Sequence, residues 1–187
     1  LDQHVLGKRP GPPCGPVNFY QFVTRLDSSI PGGWGAGDCS VGSGPLPVAA
    51  WVHIAVAADG DSVRYYVNGA RVSEEDCIAY TGNTGDLWFG GSGGPGCPGF
   101  RGEIDEVRIW NVARTGEEIA NFYQCPVDPQ STGLMGYWTF DEAVGDQHIY
   151  DLSPLGNHGI LGNSLNGEAA DPSRVLATHP FNDLCVT

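Results

Sequence analysis

An all-β fold is what this sequence predicts: an antiparallel two-sheet β-sandwich with one short helix, stapled by disulfides. Three observations predict it. Short runs rich in aromatic and β-branched residues recur along the 187 positions, and those types favour a pleated, half-buried strand. Between the runs, 28 Gly and 14 Pro fall without a three-residue period, which excludes a collagen helix and marks frequent turns. Six cysteines are dispersed through the chain, none in a C-x-x-C pair of the kind zinc sites favour.

The same composition excludes several function classes. With 41% hydrophobic and 17% charged residues the chain is too apolar to stay disordered, and its length suits one large domain. A formal net charge of −13 with only 9 Lys plus Arg would repel a phosphate backbone, and no basic stripe compensates, so nucleic-acid binding is excluded. No run reaches the ~20 apolar residues of a membrane-spanning helix, so no membrane insertion is expected. The first residues lack the pattern of a signal peptide, and the chain is expected to be a mature, soluble product.

Cys14, Cys39 and Cys97 lie in Gly/Pro-rich stretches, where burial as reduced core thiols is not expected. With Cys77, Cys125 and Cys185 they read as three disulfides of a secreted, extracellular or cell-surface protein. Several connectivities are open, and sequence does not choose among them. Proximity ranks Cys14–Cys39 and Cys77–Cys97 first, leaving Cys125–Cys185.

Along the chain, Val17 to Leu26 reads as a strand, and Ser28 to Pro47, mainly Gly, Ser and Pro around Trp34 and Cys39, as a long surface loop. Trp51 to Ala58 is apolar on both faces, as a strand inside a sandwich would be. Asp59-Gly60 turns the chain into the strand Ser62 to Val67, and Asn68-Gly69 turns it again into Ala70 to Val72. Leu87 to Gly90 is a short strand, Gly91 to Gly99 a loop, and Ile104 to Trp110 a strand. Thr115, followed three residues later by Glu118, has the spacing of a capping box and predicts a helix over Glu117 to Tyr123, ended by Pro126 and Pro129. Gly133 to Phe140 is a further strand, and brief strands are expected near Ile160 and Val175.

Two blocks carry a family resemblance. Trp51-Val52-His53-Ile54-Ala55-Val56, Asp59-Gly60 and Arg64-Tyr65-Tyr66-Val67-Asn68-Gly69 resemble the centre of laminin-G-like (concanavalin-A-like) jelly rolls. Phe100-Arg101-Gly102-Glu103-Ile104-Asp105-Glu106-Val107-Arg108-Ile109-Trp110-Asn111, then Ala113-Arg114-Thr115 and Glu118-Ile119, resemble the closing motif of that family. A third block, Gly133 to Glu142 with Asp151-Leu152-Ser153 and Asn157-His158-Gly159, is similar to the segment that opens such a domain or follows its closing motif. The usual opening strands are absent before Val17. Residues 1–125 are therefore expected to form a jelly roll lacking those strands, and residues 126–187 to complete the same or a neighbouring sandwich.

The resemblance bears on chemistry. Glu103-Ile104-Asp105 resembles the E-x-D opening of the catalytic strand in laminarinase-type hydrolases, but the positions where those enzymes place the acid/base hold Val107 and Arg108. Glu106 points to the opposite face of a regular strand, where it is expected to pair with Arg108 while Val107 and Ile109 pack inward. The chain is therefore expected not to be an enzyme. The cofactor the resemblance implies is calcium, held by loop carboxylates and carbonyls, with Asp105, Asp141, Asp151 and Asn157 as candidate ligands. Trp34 and Tyr80 are candidate surfaces for stacking on sugar rings. Two functions are in view. One is an extracellular adhesion or assembly module, whose partner is another surface molecule or itself in a filament completed by strand exchange. The other is a calcium-dependent, lectin-like domain binding extracellular glycans.

Overall fold

The computed structural model describes residues 2–9, 21–25, 33–36, 39–43, 46–47, 49–77, 84–91, 100–162, 164–168, 171–175 and 185. The chain divides into two compact units, Leu1–Ile104 with Ala113–Tyr123, and Asp105–Val112 with Gln124–Thr187.

The first unit is a sandwich of two antiparallel sheets. One has five strands in the order β4-β3-β2-β1-β8, formed by β1 (Asp2–Arg9), β2 (Gln21–Arg25), β3 (Gly33–Ala36), β4 (Cys39–Gly42) and β8 (Asp86–Phe89). The other is the meander β5 (Ile54–Ala58), β6 (Val63–Val67) and β7 (Ala70–Glu75). Alternation along β6 sends Val63 and Tyr65 to one face, where both are fully buried and pack with Cys39 and Val41 of β4. Ile54, Val56, Ala58, Val67 and Cys77 close around this cluster. Burying a side chain such as Val63 contributes roughly 2 kcal/mol, and the Cys39–Cys77 disulfide fixes the same place covalently.

Both expected tight turns form. Asp59 accepts the backbone N–H groups of Asp61 and Ser62 at 3.1 and 3.0 Å, a local side-chain turn. Asn68 and Gly69 both have positive φ, 48° and 78°, as a type I′ hairpin turn requires. The helix α1 (Gly116–Phe122) begins at the capping box, with Thr115 and Glu118 exchanging side-chain to backbone hydrogen bonds.

Three expectations are corrected. The stretch Ser28 to Pro47 is not all loop, because it contains β3 and β4; pairing with β2 and the burial of Cys39 and Val41 override a Gly-rich composition. Ahead of Val17, β1 pairs with β2 on one side and β8 on the other. Cys39 bonds to Cys77, so neither Cys14–Cys39 nor Cys77–Cys97 forms; the packing of β4 on the β6 cluster brings Cys39 and Cys77 together. No strand forms at 171–175, where the side chain of Arg174 is engaged instead.

The second unit contains β9 (Val107–Trp110) paired antiparallel with β10 (Leu134–Trp138), and the short pair β11 (His148–Ile149) and β12 (Gly159–Ile160). The strand of the third sequence block thus finds its partner within its own chain. Leu134, Tyr137, Trp138 and Ile149 are buried. Cys125 bonds to Cys185. Arg174, whose side chain is 7% exposed, donates to Glu142 at 2.6 Å and to the carbonyls of Phe140, Asp146 and His148, pinning residues 140–148.

Candidate functional site

The hairpin β6–β7 presents its second face away from the core. Arg64 lies opposite Glu74 and Tyr66 opposite Arg71, with a bulge between Tyr65 and Tyr66. Arg64 Nε donates to Glu74 Oε1 at 2.8 Å and Arg71 Nη1 donates to Glu74 Oε2 at 2.6 Å, so one carboxylate is bridged by two guanidinium groups. Arg64 Nη1 also donates to Asp59 at 2.7 Å. That bond, with the turn N–H groups, holds the Asp59 carboxyl well below the usual carboxylate range. Arg114 pairs with Glu118 at 3.0 Å on the approach to α1.

The arginines of this network line an open depression of about 490 Å³. Its walls are Arg64, Tyr66, Gly69 and Arg71 from the hairpin, and Arg114, Thr115 and Gly116 ahead of the helix. Close packing sets its floor: a Cβ on Gly69 would lie 2.8 Å from Tyr123 Cδ1, and one on Gly116 would lie 3.4 Å from the Tyr66 hydroxyl. Chemically the depression offers charge-assisted donors and apolar arginine stems, a combination suited to a polyhydroxylated ligand. Its two sides are distant in sequence, so the sequence reading missed it.

In the second unit, β9 begins only at Val107, so Glu103 and Asp105 precede the strand and alternation does not govern them. Glu103 is exposed, and Asp105 Oδ1 accepts the backbone N–H of Glu106 at 2.9 Å. Glu106 has a positive φ of 54°. Its Oε2 accepts from Arg108 at 2.8 Å and from the Tyr137 hydroxyl at 2.7 Å, and the Glu106 and Arg108 side chains are 13% and 14% exposed. Burial first, and then the adjoining carboxylate, push the Tyr137 phenol far above its ordinary range.

Asp151 and Asn157 come together, but through the backbone. The Asp151 carboxylate accepts the N–H groups of Tyr137, Ser153 and Asn157 and the Ser153 hydroxyl, all between 2.8 and 2.9 Å. Burial pushes its pKa up, but these donors outweigh it and hold the pKa below the ordinary value. The Asn157 side-chain amide donates to Met135 O at 3.0 Å, and the Asn157 backbone carbonyl accepts from Trp138 Nε1 at 3.2 Å. Asp141 is exposed. Among the described residues no group of three or more His, Cys, Asp or Glu side chains could hold a metal ion. A carboxylate engaged by four donors, as Asp151 is, does not fit a calcium ligand set. Trp34 sits in β3, opposite Phe22 and Val41 in the backbone register, while Tyr80, Cys14 and Cys97 lie outside the described residues.

The family model described as the concanavalin A-like lectin/glucanases superfamily matches residues 18–120. Among solved structures, a Bacteroides ovatus protein provisionally designated carbohydrate binding is similar at a TM-score of 0.66 and 22% identity, over 91% of this chain and 50% of that one. The chain thus spans about half the length of that structure. An S-layer domain-containing protein from Clostridium thermocellum is similar at a TM-score of 0.38 and 22% identity, over 65% of this chain and 63% of that one. At such identity the first likeness establishes fold alone, and the second carries no argument. No curated protein matches the sequence.

Proposed function

Because the chain belongs to the concanavalin A-like lectin/glucanase superfamily, we propose that it is a non-catalytic carbohydrate-binding module of an extracellular protein, able to serve in adhesion through surface glycans. The superfamily description covers both binding and cleavage of sugars, and the choice between them rests on one observation. Glu106, the carboxylate nearest the strand that would have to be catalytic, is closed off by Arg108 and Tyr137. Retaining hydrolysis needs a nucleophile and a separate acid/base about 5 Å apart, one of them free to carry a proton at working pH. The Glu106 carboxylate, held by the Arg108 guanidinium and the Tyr137 hydroxyl, serves packing.

The designation of the Bacteroides ovatus structure supports the same reading, and two disulfides among the described residues support an oxidising, extracellular setting. No described group of side chains favours calcium dependence. The test is a glycan array read with calcium and with chelator, run beside an assay for released reducing ends. Binding that survives chelation without release of sugar is the expected result. Release of reducing ends, or no binding to any glycan, overturns the proposal.

A further inference from the structure

We infer that the sugar site is the depression over β6–β7 and that it takes an anionic saccharide, whose carboxylate or sulfate is met by Arg71 and Arg114. This deepens the proposed function and rests on it. Three of the chain's 9 basic residues, Arg64, Arg71 and Arg114, line this one depression in a protein of net charge −13. Chance dispersal over an acidic surface does not explain that convergence. Two other arginines, Arg108 and Arg174, are enclosed in ion pairs with Glu106 and Glu142 and serve structure.

The depression already shows the chemistry it would use. Glu74 is held between Arg64 and Arg71, one carboxylate oxygen to each. The side chain of Arg71 is 54% exposed, and Nη1 is the atom it directs at Glu74. A guanidinium is a planar fork with five donors, so the same group can hold Glu74 and meet a second anion on its solvent side. Arg114 stands on the facing wall with its own carboxylate, Glu118. Each arginine is locally balanced by Asp59, Glu74 or Glu118, so the cluster persists in a folded chain without mutual repulsion. It is also held in place, since the type I′ turn at Asn68-Gly69 and the capping box at Thr115 fix the two walls. Preorganised donors lose less entropy on binding. The apolar stems of the arginines would face the sugar ring.

The experiment is titration calorimetry of the whole disulfide-bonded chain with three probes at low and moderate salt: oligogalacturonate, a sulfated oligosaccharide and a neutral oligoglucoside. Arg71→Gln and Arg114→Gln are compared with Arg101→Gln, which removes the same charge outside the depression. Circular dichroism confirms that each variant is folded. The expected result is that an anionic probe binds, that binding falls with salt, and that Arg71→Gln and Arg114→Gln each weaken it about tenfold or more while Arg101→Gln changes it less than about twofold. The anionic arm that binds identifies the group. If only the neutral probe binds, or if anionic binding is indifferent to Arg71→Gln and Arg114→Gln, this inference falls while the carbohydrate-binding function stands. If nothing binds, both fall.

Discussion

Asp151 ties together several backbone segments of the second unit. Its carboxylate satisfies three backbone N–H groups and a hydroxyl in a place where the residue is 4% exposed. Removing a partner so that buried donors are left unmet costs about 1–3 kcal/mol per group. Asp151→Ala is therefore expected to destabilise by about 3 kcal/mol or more, read as a fall in the urea midpoint. The pH dependence follows from the sign of the shift. A carboxyl whose folded pKa is depressed lends stability that is present above its unfolded value near 4 and is lost as pH falls through the folded value. The stability of the parent chain relative to Asp151→Asn is thus expected to be constant from pH 7 to about 5 and to shrink below about 4. A gap unchanged down to pH 2 would show that the charge is not what the donors hold.

At the scale of elements, local chemistry was legible and partner-dependent chemistry was not. The capping box at Thr115 and Glu118, the Asp59-Gly60 turn and the Asn68-Gly69 turn are set by residues a few positions apart, and each forms where the sequence places it. β3 and β4 escape such reading because Gly33 to Gly42 has little strand propensity of its own; β2 supplies the edge and Val63 and Tyr65 supply the buried face. The depression is hidden for the same reason, since Arg71 and Arg114 meet only once the sheets are built. The disulfide pairing needed the sheet order too. In the chain-entropy model, a bridge with a sequence separation of 38, Cys39–Cys77, contributes about 4 kcal/mol. The Cys39→Ala, Cys77→Ala double variant is expected to lose stability of that order and to exchange the amides of β4 and β6 faster than those of β9 and β10, read by hydrogen exchange. Uniform acceleration through all four strands would mean that the bridge acts on the unfolded chain alone and does not secure the Cys39, Val41, Val63 and Tyr65 cluster.

For the whole molecule, the question is whether the chain stands alone or completes a neighbour. Strand exchange requires a strand whose partner lies outside its own chain, and β10, the strand of the displaced sequence block, is paired to β9 from Leu134↔Trp110 to Trp138↔Val107. Exposed sheet edges are the other route to polymers. β7 is an edge of its sheet, and it carries Arg71, Glu74 and Glu75, followed by Asp76; charged edge residues oppose in-register pairing of two identical strands. A net charge of −13 adds long-range repulsion between copies. The purified, non-reduced chain is therefore expected to scatter light as a monomer at low ionic strength. Salt gives the sharper arm, because raising it to about 1 M shortens the screening length to roughly 3 Å and removes the long-range repulsion while leaving hydrogen-bonded pairing untouched. A monomer at both salts means that the β9–β10 pairing and the charged edge suffice. Association only at high salt assigns the solubility to net charge. Ordered polymers at low salt would mean that β10 leaves β9 for a neighbouring copy or that a sheet edge pairs across copies, and would make assembly, with sugar binding subordinate to it, the principal activity of the chain.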